Sequence, residues 1–229
     1  MATALAMKRV GLGAVISSLA GLFLLLQLGW GQQAEVRDAV IGIVPEEKWN
    51  SWWTAARKNP QVVTSDVPLA SPRRWNLDDP AMYRAAIRIL DDNGNLLDSE
   101  TVPFGVRQAE FRADTGFWLN GRNFKLKGVA LHHDGGAVGA AVPLDIWRQR
   151  LTALKALGVN AIRTAHNVPS PELLDLTDEL GLLVMDEWFD QWNVAKTPED
   201  YHLFFSDWHK RDTADMIRRD RNHPSIVLW

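Results

Sequence analysis

Residues 158–187 read GVNAIRTAHNVPSPELLDLTDELGLLVMDE, and their reading decides the fold. Gly158 can close a preceding helix, because a residue without Cβ takes the left-handed position past a helix end cheaply. Residues 159–164 are a short β-prone run that turns polar at its end with Arg163, Thr164 and His166. Ser170 supplies an N-cap, and Pro171 sits at the first helical position, where its missing N–H costs nothing. Leu173, Leu176, Thr177 and Leu180 then recur on one helical face until Gly181 ends it. Residues 182–185 are an apolar strand, followed at once by Asp186 and Glu187. Apolar strands whose polar residues gather at their C-terminal ends describe a parallel sheet with its site along that edge.

The same grammar extends in both directions. Upstream, residues 125–131 read as a strand that opens into His132-His133-Asp134-Gly135-Gly136. Pro143 then starts a helix in which Trp147, Leu151 and Leu154 fall at helical spacing. Downstream, residues 188–205 form an aromatic loop of 18 residues, long enough to suggest function. A charged helix over residues 206–221 follows, then Asn222-His223-Pro224 as a stop, and residues 226–229 begin another apolar strand. Four strands separated by three helices make half of an eightfold α/β barrel, or a small open sheet. A complete barrel needs ~250 residues, and only 105 follow Phe124. The expectation is a fragment cut at both ends.

The first half of the chain has a different texture. Residues 71–112 read as the tail of a β domain. Strands over 83–90 and 96–104 flank the turn Asp91-Asp92-Asn93-Gly94-Asn95, a third strand covers 105–111, and a further hairpin turns at Gly121. Residues 32–70 contain Trp49, Trp52 and Trp53 but no motif that carries chemistry. Residues 1–31 read as an export signal: Lys8 and Arg9 precede an uncharged run over 10–28, and Gly29-Trp30-Gly31 offers a cleavage point. That run approaches the ~20 residues of a spanning helix, so a retained membrane anchor is the alternative. Either way the expected location is outside the cytoplasm, periplasmic or extracellular.

Composition narrows the function. Among 229 residues the net charge is −3 with acids and bases interspersed, so no basic stripe offers a nucleic-acid surface. The absence of cysteine removes disulfides, thiolate chemistry and zinc–thiolate sites. Eleven tryptophans stand against two tyrosines. Core filling accounts for most such rings, and the sharper reading is a surface that stacks sugar rings.

Four motifs carry a specific resemblance. LKGVALHHDGG, NAIRTAHNVPSP, GLLVMDEWFDQW and RDRNHPSIVLW, in this order, resemble the barrel of glycoside hydrolase family 2, which contains β-galactosidases, β-glucuronidases and β-mannosidases. WNLDDPAMY and FGVRQAEF resemble the end of that family's immunoglobulin-like domain, so the likeness runs from about Arg73 to Trp229. It implies a multi-domain β plus α/β chain: residues 71–112 a partial immunoglobulin-like β-sandwich, and residues 113–229 an incomplete (β/α)8 TIM barrel. It also implies a retaining mechanism in which two glutamates ~5–5.5 Å apart act as acid/base and nucleophile. Both would lie beyond Trp229, leaving this chain inactive alone.

What remains is the substrate-binding shell. By the resemblance, His132, His166 and Asn167 reach the sugar, while His133 serves the loop. Arg163 sits beside the nucleophile, so its carboxylate partner would be missing here. Glu187 matches a carboxylate that binds substrate or, in some members, a metal such as Mg near the acid/base; no other cofactor is implied. Asp186 belongs to the same strand end, although strand neighbours face opposite sides. Asp190 and Trp192, in the aromatic loop, would set sugar specificity. The implied partners are a β-linked oligosaccharide or glycoside, the remainder of its own chain and, at full length, further copies in a homo-oligomer. Rival readings are a metal-dependent hydrolase using His132, His133, Glu187 and Asp190, a non-catalytic carbohydrate-binding protein, and a truncated gene product. The adjacency of His132 and His133 weakens the first, because two ligands on one strand face the same way only at i and i+2.

Overall fold

The computed structural model describes residues 67–90 and 93–229, preceded by three short strands, Leu22–Leu24 (β1), Gln27–Leu28 (β2) and Ala39–Ile41 (β3). The export signal otherwise lies outside the described residues, as do the tryptophans near residue 50. Among the described residues, no helix is long and apolar enough to cross a membrane. The chain divides into two compact units, residues 1–71 with 83–102, and residues 72–82 with 103–229.

In the first unit, Tyr83–Leu90 (β4) lies between β2 and Leu96–Phe104 (β5). Ala85, Ile87 and Ile89 are buried at every second position of β4, the period of a strand with one face on a core.

The second unit is built on four parallel strands in the order β12-β11-β10-β9: Ile226–Leu228, Leu183–Met185, Ala161–Thr164 and Gly128–Leu131. The connecting helices are Leu144–Ala156 (α1), Pro171–Leu180 (α2) and His202–Asp220 (α3). Helix α2 begins and ends as its sequence dictates. The Ser170 hydroxyl accepts from Leu173 N, Pro171 opens the helix, and Gly181 closes it with φ +66°. A Cβ on Gly181 would lie 2.5 Å from the carbonyl oxygen of Leu77, so both backbone angle and space require glycine there.

Residue parity sorts the strands into two faces. Ile162 packs with Trp147, Leu151, Leu173, Leu176 and Leu182 against α1 and α2, and Val184 packs with Leu174 and Ile226. Ala161 and Leu183 face the other way, toward Trp75, Leu77, Phe117 and Leu119. All four of these side chains come from outside the parallel sheet: Trp75 and Leu77 precede it, and Phe117 and Leu119 lie on Gly116–Leu119 (β7), the centre of a sheet flanked by Ala109–Arg112 (β6) and Arg122–Phe124 (β8). Trp75 is fully buried, and its indole N–H donates to Asp178 O at 2.8 Å. Truncating such a ring to alanine typically costs about 3–5 kcal/mol.

Three boundaries differ from the sequence expectation, each for a local reason. The strand expected over 125–131 begins only at Gly128, because the Asn160 side chain takes Lys127 N and Lys125 O. The strand expected over 105–111 begins at Ala109, since Val106 O accepts from Trp75 N and Gln108 N donates to Asn120 Oδ1. Helix α3 starts at His202 rather than 206, with Tyr201 in the cap position and Asp200 Oδ1, one residue further out, accepting from His202 N.

At the N-terminal ends of the barrel strands, Asp178 forms a clamp. Its Oδ2 accepts from His223 Nδ1 at 2.7 Å and its Oδ1 from Ser225 N at 3.0 Å, joining α2 to the start of β12. Burial opposes charge on His223, but the bond to Asp178 and the nearby Asp175 and Asp220 raise its pKa overall. Arg107 reinforces the same corner by donating to Pro224 O at 2.6 Å and to Ile226 O.

Candidate active site

The opposite ends of the strands converge on one carboxylate. Because Leu183, Met185 and Glu187 share parity, Glu187 projects from the same face as Ala161 and Arg163 of the neighbouring strand. Arg163 Nε donates to Glu187 Oε1 at 2.6 Å, and His166 N donates to Glu187 Oε2 at 3.0 Å. That second bond needs an unusual backbone: His166 has φ +70°, a left-handed conformation that turns its N–H back toward the strand end. The His166 ring then sits with Nδ1 3.4 Å from Arg163 Nη2 and packs edge-on against His132, centroids 5.5 Å apart. Burial would raise the Glu187 pKa, yet Arg163 and the His166 N–H together hold it below the usual value, so the group is a carboxylate at neutral pH.

The sequence expected Arg163 to lack a partner. The structure corrects this: Glu187 supplies it, 24 residues away in the chain and adjacent across the sheet. Asp186 is also corrected. Its parity is that of Val184, and its side chain turns away from Glu187 into full burial, with Thr164 Oγ1 donating to Oδ1 at 3.4 Å. Burial, then repulsion from Asp220, pushes its pKa up to about 7, and its Oδ2 has no hydrogen-bond partner. Asp186 cannot touch a substrate. Asn167 stays near the strand end, donating to Ala165 O at 3.4 Å. Asp190 pairs with Lys196 at 2.8 Å, while Trp192 stands 66% exposed in the loop after β11.

One contributor escaped the sequence reading. The Thr164 hydroxyl accepts the Glu187 N–H at 2.9 Å and so fixes the backbone that carries the carboxylate. Its only signal is its place, polar and buried between Arg163 and His166 at a strand end.

These residues do not fit a divalent cation. Both Glu187 oxygens are engaged by donors, and one of those donors is a guanidinium. Among the described residues, the three-ligand cluster is Asp175, Asp178 and His223, at the other end of the strands.

Residues 112–229 match the TIM barrel domain of glycosyl hydrolases family 2, and residues 31–107 match a second domain of the same family. The chain belongs to glycosyl hydrolase family 2. The second match reaches 42 residues further toward the N-terminus than Arg73, where the motif likeness begins. Beta-galactosidase BoGH2A of Bacteroides ovatus is 45% identical over 168 residues, 73% of this chain and 20% of that protein. A solved family 2 structure from Bacteroides cellulosilyticus covers 93% of this chain and 26% of its own, at 32% identity and a TM-score of 0.80. Beta-glucuronidase 3 of Bacteroides uniformis is 31% identical over 74% of this chain and 21% of its own, with a TM-score of 0.60. This family 2 chain therefore spans about a fifth to a quarter of the length of these relatives. The parallel sheet is part of the family's barrel, and the Arg163–Glu187–His166 knot lies on the strand ends where barrels carry their sites.

Proposed function

We propose that this chain contributes the first four strands and part of the sugar-binding shell of a retaining β-glycosidase, with terminal β-galactosides as its first substrates. The observation that carries the proposal is the knot itself: an ionised Glu187 locked by Arg163 and the His166 N–H at the C-terminal ends of β10 and β11. Such a carboxylate holds the guanidinium and imidazole in one orientation, so that their remaining N–H groups, with Asn167 and His132, meet sugar hydroxyls at fixed angles. A preordered donor set saves the entropy of ordering it on binding. The name of the Bacteroides ovatus relative supports galactose as the first sugar to test, and that of the Bacteroides uniformis relative makes glucuronic acid the second.

On this reading, the two glutamates of the retaining mechanism come from the protein beyond Trp229, and residues 1–229 alone turn over nothing. Lys8 and Arg9 ahead of an uncharged run support an exported enzyme. The test uses the full-length protein and a panel of 4-nitrophenyl β-glycosides. Turnover of the β-galactoside is expected, and Glu187→Gln should lower kcat/KM roughly tenfold or more while leaving the fold intact. A variant as active as the parent would overturn the role of the knot; a parent inert on every β-glycoside would favour a non-catalytic sugar-binding protein.

A further inference from the structure

The loop after β11 carries aromatic rings in an arrangement that core packing does not explain. Phe205, on the first turn of α3, is stacked against His209, one turn later, with centroids 4.6 Å apart and planes within 8°. His209 is held there by its Nδ1–H, which donates to Phe205 O at 2.6 Å. Trp192 lies on Phe205 in an offset, near-parallel stack, 6.4 Å between centroids and 15° between planes. Phe189 and Tyr201, themselves stacked at 4.7 Å, meet Phe205 edge-on and fix its position from the side. The result is a ring supported from below on rigid elements, with most of its surface open to solvent.

An indole kept exposed in this way, rather than folded into the core, is the surface that accepts a flat ring. Its neighbours choose the chemistry. Asp190, two residues earlier in the loop, and Lys196 form an exposed ion pair at 2.8 Å, a carboxylate and an ammonium ready for hydroxyl groups. Asp190 follows Glu187 by only three residues, so this loop leaves the strand end that carries the knot. A ligand here needs an apolar C–H face for the indole and hydroxyls around its rim. That is a sugar ring.

We propose that Trp192, braced by Phe205 and His209, is the stacking platform of a second sugar subsite beside the strand-end site, so that the substrate is a β-linked oligosaccharide. The inference rests on the glycosidase reading above and adds the identity of the leaving group: another sugar.

The test compares a β-linked disaccharide with the methyl β-glycoside of the same terminal sugar, in the full-length protein and in its Trp192→Ala and Trp192→Phe variants. Loss of one aromatic stack is worth roughly 3- to 10-fold. The disaccharide-to-methyl-glycoside ratio of kcat/KM should therefore fall roughly 3- to 10-fold in Trp192→Ala, through KM, and stay within about 2-fold of the parent in Trp192→Phe. A ratio unchanged in Trp192→Ala would overturn the subsite while leaving the glycosidase reading intact. A parent that hydrolyses neither substrate would overturn both. A variant with the near-ultraviolet signal of unfolded protein is read through Trp192→Phe alone, whose ratio must then exceed that of a Trp192→Leu variant.

Discussion

Replacing Asp178 by asparagine should loosen the N-terminal end of the barrel in a way that depends on pH. Its carboxylate is 4% exposed and its partner His223 ring 11%, so water cannot replace what either loses. The carboxylate accepts two bonds, from His223 Nδ1 and Ser225 N. An asparagine oxygen keeps one of them, and its NH2 must then face a second donor. Losing one charge-assisted bond and leaving a buried donor unsatisfied costs about 2–3 kcal/mol, and alanine, which keeps neither, about 3–5 kcal/mol. Against a typical total of about 5–15 kcal/mol, either change is large. His223 has a raised folded pKa, so the clamp is at full strength below the unfolded histidine value of about 6.5 and weakens as pH rises through the higher folded value. Amide hydrogen exchange over residues 222–229 of the full-length protein reads this directly. Exchange in Asp178→Asn should be roughly 30- to 150-fold faster than in the parent below pH 6.5, with the difference shrinking at higher pH. Equal protection in parent and variant at every pH would refute the clamp.

Two further changes test the layer beneath the knot. Thr164→Val keeps the shape but leaves the Glu187 N–H without its acceptor, so stability should fall by about 1–3 kcal/mol, measured by thermal unfolding, together with kcat/KM; kinetics like those of the parent would show that Glu187 holds its place unaided. Asp186→Asn should remove a pH dependence: with a folded pKa of about 7, the acid costs the native state nothing below pH 4 and progressively more as pH rises to about 7, where the cost levels off. The variant should therefore gain melting temperature over the parent at pH 8 and not at pH 4; a constant difference across that range would contradict the buried, protonated state.

How far the sequence could be read depended on how local each cause was. Ser170, Pro171 and Gly181 mark the ends of α2 because capping is decided within four residues. Strand parity, also local, already separated Asp186 from Glu187. Partners distant in the chain were invisible: Arg163 finds Glu187 only because β10 and β11 pair in one register, and Asp178 finds His223 across 45 residues. Asn-His-Pro reads as a helix stop, and nothing in those three residues announces that the histidine is held by an acid on another helix. The aromatic loop showed its rings but not their order, since the stack depends on α3 starting at His202, which puts Phe205 and His209 one helical turn apart. Thr164 was hidden for the plainest reason: a buried hydroxyl at a strand end looks like any other β-branched residue.

The most direct test of the central claim is the anomer released first when the full-length protein hydrolyses a β-galactoside, followed by proton NMR before mutarotation scrambles it. A retaining two-carboxylate site predicts the β-anomer. Release of the α-anomer, or no turnover of any β-glycoside, would contradict the account.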